Sequence, residues 1–119
     1  MSRFTYFHNP KCNTSRKVLS HLESLSLDFQ IRDYIQFSFS QLEMEELIKK
    51  LNVPISEYIR KKEVSEYDLF LSESSDLSYI SKQIIRFPRI LQRPIISYES
   101  HAFICRPYEK VLTLFNGSI

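Results

Sequence analysis

Only one of the 119 residues is glycine, Gly117, and this scarcity limits how the chain can turn. Turns that need positive φ must use Asn or Asp instead, or be avoided. A glycine-rich phosphate or dinucleotide loop is excluded, because such loops need backbone that can approach the ligand closely. Any anion site must therefore be made from a helix end and side chains.

One stretch meets that requirement. The apolar and aromatic run Phe4 to Phe7 leads into a polar turn, His8-Asn9-Pro10-Lys11-Cys12-Asn13-Thr14-Ser15-Arg16-Lys17, and an amphipathic pattern starts directly afterwards. This reads as strand, loop and helix, with Cys12 at the helix mouth. A thiol there meets unpaired backbone N–H groups and the positive end of the helix dipole, both of which favour thiolate over thiol. The same N–H groups can hold an oxyanion. The pattern points to a nucleophilic cysteine beside an anion site, whereas a buried free cysteine would be expected in an apolar run.

The remaining totals narrow the setting. A chain of 119 residues suffices for one domain with a single core. Sixteen basic side chains against 14 acidic ones give a net charge of +2, which supplies no reason to expect a nucleic-acid or membrane partner. No apolar run approaches the roughly 20 residues of a membrane span, and no leader pattern opens the chain, so a cytoplasmic protein is expected. The two cysteines, Cys12 and Cys105, lie far apart and read as thiols. No His or Cys spacing suits a structural zinc site, and no metal is expected. The aromatic residues are spread through strands and helices, as core packing requires.

The hydrophobic period then gives an order of elements. Val18, Leu19, Leu22 and Leu25 predict a helix, which Asn13, Thr14 or Ser15 could cap. Leu27, Phe29 and Ile31 alternate with polar residues as in a strand. Ser40-Gln41-Leu42-Glu43 has the form of a capping box, ahead of an apolar face of Leu42, Met44, Leu47, Ile48 and Leu51. Pro54 is placed to start a short helix through Ile59 that presents Arg60-Lys61-Lys62 at its end. Short helical turns are expected from Glu63 to Ser75, then a helix capped by Asp76 and ended before Pro88. Pro94–Tyr98 and Ala102–Ile104 read as a hairpin, and a closing helix is expected from Pro107 through Phe115. The order is β-α-β, a block of helices over about 40–88, then β-β-α, within one α/β domain over 1–119.

Four separated segments now carry a resemblance. His8 to Arg16, Arg60-Lys61-Lys62-Glu63, Gln92-Arg93-Pro94-Ile95 and Arg106-Pro107-Tyr108-Glu109-Lys110-Val111-Leu112 resemble, in order and separation, the signatures of the glutaredoxin-linked arsenate reductase family. The resemblance spans nearly the whole chain. It departs at Cys105, where relatives commonly have glycine, and at Tyr108, where many have proline. It implies a thioredoxin-like fold with an inserted helical layer. It further implies that Cys12 is the nucleophile, that Arg60, Arg93 and Arg106 hold the arsenic oxyanion, and that the Arg93–Pro94 bond is cis.

The chemistry suits those residue types. A thiolate approaching a tetrahedral anion needs nearby positive charge, and the guanidinium fork donates several hydrogen bonds without deprotonating. His8, if protonated, would lower the Cys12 pKa further; otherwise it caps the strand end. Ser15 either donates to the thiolate or caps the helix. Taken alone, Arg60 reads as part of a solvated basic run, Arg93 is held extended by Pro94, and Arg106, between a strand and Pro107, is either held at the sheet edge or an ordinary salt-bridge partner. Ser15 occupies the fourth position of what would be a Cys-x-x-Cys motif. A borrowed thiol is therefore needed unless Cys105 reaches Cys12, and the resemblance implies glutathione as co-substrate and glutaredoxin as partner, with no bound cofactor. Two other readings compete: a non-enzymatic regulator that binds RNA polymerase, and a thiol reductase for another substrate.

Overall fold

Strand β1 (Phe4–His8) runs parallel to β2 (Phe29–Asp33) and antiparallel to β3 (Ile95–Tyr98), which pairs with β4 (His101–Ile104) to give the sheet order β2-β1-β3-β4. This arrangement is seen in a computed structural model that describes residues 4–106 and Glu109. The near-continuous apolar run of β1 suits a central strand covered on both faces. Alternation sends Phe4 and Tyr6 to one face, where they pack with Val18, Leu22, Ile96 and Cys105, and Phe7 to the other, against the helical block. Phe4 also stacks on its β2 partner Phe29, with ring centroids 5.0 Å apart. Because β2 is an edge strand, its alternation marks a strand without guaranteeing a covered face: Ile31 is 45% exposed.

Helix α1 (Asn13–Ser24) buries Val18 and Leu22 against the sheet, each worth roughly 1.5–3 kcal/mol of transfer free energy. Between β2 and β3 lie α2 (Gln41–Leu51), α3 (Ile55–Tyr58), α4 (Lys61–Glu66), α5 (Leu77–Arg86) and a 3-10 turn, Pro88–Ile90. The fold is therefore thioredoxin-like, with the expected inserted helices. The capping box of α2 is formed, with Ser40 Oγ accepting from the Glu43 N–H and Glu43 accepting from the Ser40 N–H. Leu42 is not part of the apolar face of α2 and is left exposed.

Several local expectations are corrected. Pro54 sits at the N-cap of α3 rather than inside its first turn. Arg60-Lys61-Lys62 opens α4 instead of closing α3, because the chain turns extended at Ile59 and Arg60 before re-entering a helix. Helix in the Glu63–Ser75 region stops at Glu66, and Asp68 takes the left-handed conformation that ends it. Of the expected closing helix only Glu109 is among the described residues, and it is helical; the rest lies outside them. Among the described residues positive φ occurs at Ser26, Asn52, Asp68 and Glu99, so the Asn and Asp expected at such turns account for two of these positions and Ser26 and Glu99 for the others.

Candidate active site

The loop after β1 is built by its own polar groups. Asn9 is buried; its backbone carbonyl accepts the Cys12 N–H at 3.0 Å and its Oδ1 accepts the Lys11 N–H at 3.0 Å. Arg16 reaches back over the loop, donating to the Pro10 carbonyl at 2.6 Å and to Asn13 Oδ1. Cys12 is the extended N-cap residue of α1, and its carbonyl accepts the Arg16 N–H at 3.0 Å. No side chain caps this helix, contrary to the expectation for Asn13, Thr14 or Ser15. Ser15 is fully buried, and its Oγ accepts the Asn9 N–H at 3.0 Å and lies 2.8 Å from His8 Nδ1. The Tyr6 hydroxyl donates to the Ser15 carbonyl at 2.7 Å. This network fastens the first turn of α1 to β1 and leaves the Ser15 and Thr14 N–H groups to the thiol.

Those groups set the charge on Cys12. Partial burial pushes the thiol pKa up, but the Ser15 N–H, the side chain and charge of Arg93, and the Thr14 N–H outweigh it and hold the thiol below its ordinary range. His8 is not the source of this effect. Burial lowers its pKa, with Arg16 acting in the same direction and Asp33 and Glu23 opposing, so the ring is neutral at neutral pH and serves as a partner of Ser15.

Arg93 is the arginine that meets Cys12 directly. It precedes Pro94 through a cis peptide bond, the geometry implied by the resemblance. One end of its guanidinium donates to the Arg89 carbonyl at 2.8 Å and the Leu91 carbonyl at 3.3 Å, while its buried Nε has no hydrogen-bond partner. Arg60 and Arg106 join the site through this segment. Arg106 donates to the Arg93 carbonyl at 3.3 Å. Arg60 donates to Gln92 Oε1 at 3.2 Å and is ion-paired with buried Glu63 at 2.7 Å, an i,i+3 pair from the N-cap of α4 into its first turn. The Arg60 hydrogen bond is the main reason Glu63 is held below the usual carboxylate range.

Sequence reasoning passed over four contributors: Asn9, Tyr34, Glu63 and Gln92. Asn9 was legible as an Asx turn ahead of a helix, and Glu63 as the i+3 partner of Arg60. Tyr34 follows β2 at the same end of the parallel pair that delivers Cys12, an edge where open α/β sheets tend to place ligands. Its hydroxyl is buried without a hydrogen-bond partner. Cys105 is 1% exposed and packs on the α1 side of the sheet, and its N–H donates to the Pro94 carbonyl at 2.9 Å. Neither cysteine is in a disulfide.

Known proteins resemble this chain in sequence and fold. The ArsC family profile matches residues 7–114. An arsenate reductase of Escherichia coli is 30% identical over 122 aligned residues, covering 99% of this chain and 84% of that protein. One of Haemophilus influenzae is 30% identical, covering 91% of this chain and 95% of that protein. The solved arsenate reductase from Vibrio cholerae superposes with a TM-score of 0.76 at 28% identity, over 96% of this chain and 98% of that one. With a family match over most of its length, and with a cysteine at a helix mouth facing the arginine of a cis-proline loop, this chain belongs to the ArsC family.

Proposed function

We propose that this protein is an arsenate reductase, an oxidoreductase in which Cys12 is the nucleophile. The observation that carries this reading is the pairing of a thiol held below its ordinary pKa with Arg93, whose buried Nε is a donor without an acceptor. The Cys12 thiolate attacks arsenic; an S–As bond forms and an arsenate oxygen departs as water after protonation. A second thiol, supplied by glutathione, then attacks Cys12 sulfur. The S–As electron pair stays with arsenic, As(V) becomes As(III), and arsenite leaves behind a Cys12–glutathione disulfide. Glutaredoxin reduces that disulfide and returns Cys12. The Ser15 and Thr14 N–H groups stabilise the attacking thiolate, and Arg93 offsets the repulsion between two anions. Arg106 and Arg60 contribute by fixing the Gln92–Arg93 segment and adding positive charge around it. Such a site needs no bound cofactor and is served by soluble thiols, which favours a cytoplasmic setting.

The test is a coupled assay with glutathione, glutaredoxin, glutathione reductase and NADPH. Arsenate-dependent NADPH oxidation is expected for the native protein. Cys12→Ser is expected to abolish it while leaving the circular dichroism spectrum unchanged. If the native protein is silent beside an active arsenate reductase, the proposal fails.

A further inference from the structure

Two buried polar groups lack hydrogen-bond partners at one place in this molecule: Arg93 Nε and the Tyr34 hydroxyl. Leaving a buried donor unsatisfied is costly, so such groups are uncommon in native proteins and mark strain, function or an absent ligand. Here the two share surroundings, since the charges acting on the Tyr34 hydroxyl include those of Arg93, Cys12 and Arg60. The Asn9 side chain acts on the hydroxyl in the direction that lowers its pKa, as a donor toward the oxygen does, and so does not take its proton. Tyr34 is only 2% exposed, and its ring is held by stacking on Phe39 at 5.3 Å between centroids. The hydroxyl is thus fixed at the edge of the Cys12 site with a proton to give and no acceptor among the described residues.

We propose that Tyr34 is a direct ligand of the oxyanion, its hydroxyl donating to an oxygen of the tetrahedral anion held between Cys12 and Arg93. This deepens the arsenate reductase reading and rests on it for the identity of the anion. Burial pushes the Tyr34 pKa up to about 12 against the opposing pull of Arg93, so the group keeps its proton at neutral pH. A neutral donor adds a hydrogen bond without further positive charge. It therefore favours an anion with an oxygen in that direction over a small or spherical one such as chloride, which makes Tyr34 a specificity-determining residue.

Tyr34→Phe removes only the oxygen and keeps the ring on Phe39. The readout is protection of Cys12 from iodoacetamide by added arsenate, followed by intact mass, because it reports anion occupancy whether or not turnover occurs. The variant is expected to need about tenfold more arsenate for half-protection, as loss of a hydrogen bond to a charged group predicts. Its alkylation rate without anion should match the native protein's, and its melting temperature should be no lower, since an unsatisfied buried group has gone. Equal half-protection in the two proteins overturns the proposal, and so does a native protein that arsenate does not protect. Native turnover with equal half-protection would remove Tyr34 alone. Weakened protection without native turnover would keep Tyr34 as an oxyanion ligand and remove the reductase reading.

Discussion

At the scale of single residues, the reactivity of Cys12 depends on what its neighbours do with their own hydrogen bonds. Ser15 Oγ is engaged with His8 and the Asn9 N–H, so it is through its backbone N–H that Ser15 favours the thiolate, alongside Arg93 and the Thr14 N–H. The alkylation rate of Cys12 should therefore titrate with a midpoint below that of free glutathione measured alongside it; a midpoint at or above that of glutathione would contradict the site described. The sign for stability follows from the same shift. A thiol whose folded pKa is depressed adds stability that is fully present above the pKa of the unfolded thiol and is lost as pH falls through the folded value. Cys12→Ser should remove that slope from urea melts taken across the interval. Cys12 was legible from sequence because it stands in a polar turn before an amphipathic run. The neutrality of His8 was not, because burial by residues remote in sequence decides it.

At the scale of elements, legibility follows how local the cause is. The capping box of α2 could be read directly, since Ser40 and Glu43 supply both halves within one turn. Ser40→Ala should cost about 1 kcal/mol in urea denaturation. Arsenate turnover should be unchanged, since Ser40 lies on the exposed start of α2; a cost near zero would show that the cap is not formed in solution. The start of α1 could not be read the same way. Its candidate capping side chain, Ser15, is drawn inward by β1, a contact between elements that helix-end rules do not contain. Likewise Arg60 was expected at the end of a helix and begins one, because its N–H is taken by the Ile90 carbonyl at 2.7 Å and its guanidinium by Glu63.

At the scale of the whole molecule, the order β-α-β, helices, β-β could be read from the period of apolar residues. The convergence of Cys12, Arg93 and Arg106 could not be derived from periodicity and entered through the resemblance of four separated motifs. The sheet performs that convergence: β1 and β3 are neighbours, so the loop leaving β1 and the loop entering β3 meet at one edge. The turns elsewhere carry a different consequence. Ser26 holds φ at 55° on an exposed turn, in a conformation that costs a residue with a Cβ roughly 1–2 kcal/mol. Glycine removes that cost but adds about 0.5–1 kcal/mol of chain entropy to the unfolded state. Ser26→Gly should therefore raise the melting temperature by about 2–5 °C, measurable by differential scanning calorimetry, with no change in turnover. A chain that turns almost entirely without glycine has thermal headroom at its corners, and that headroom can be recovered without touching the chemistry of the site.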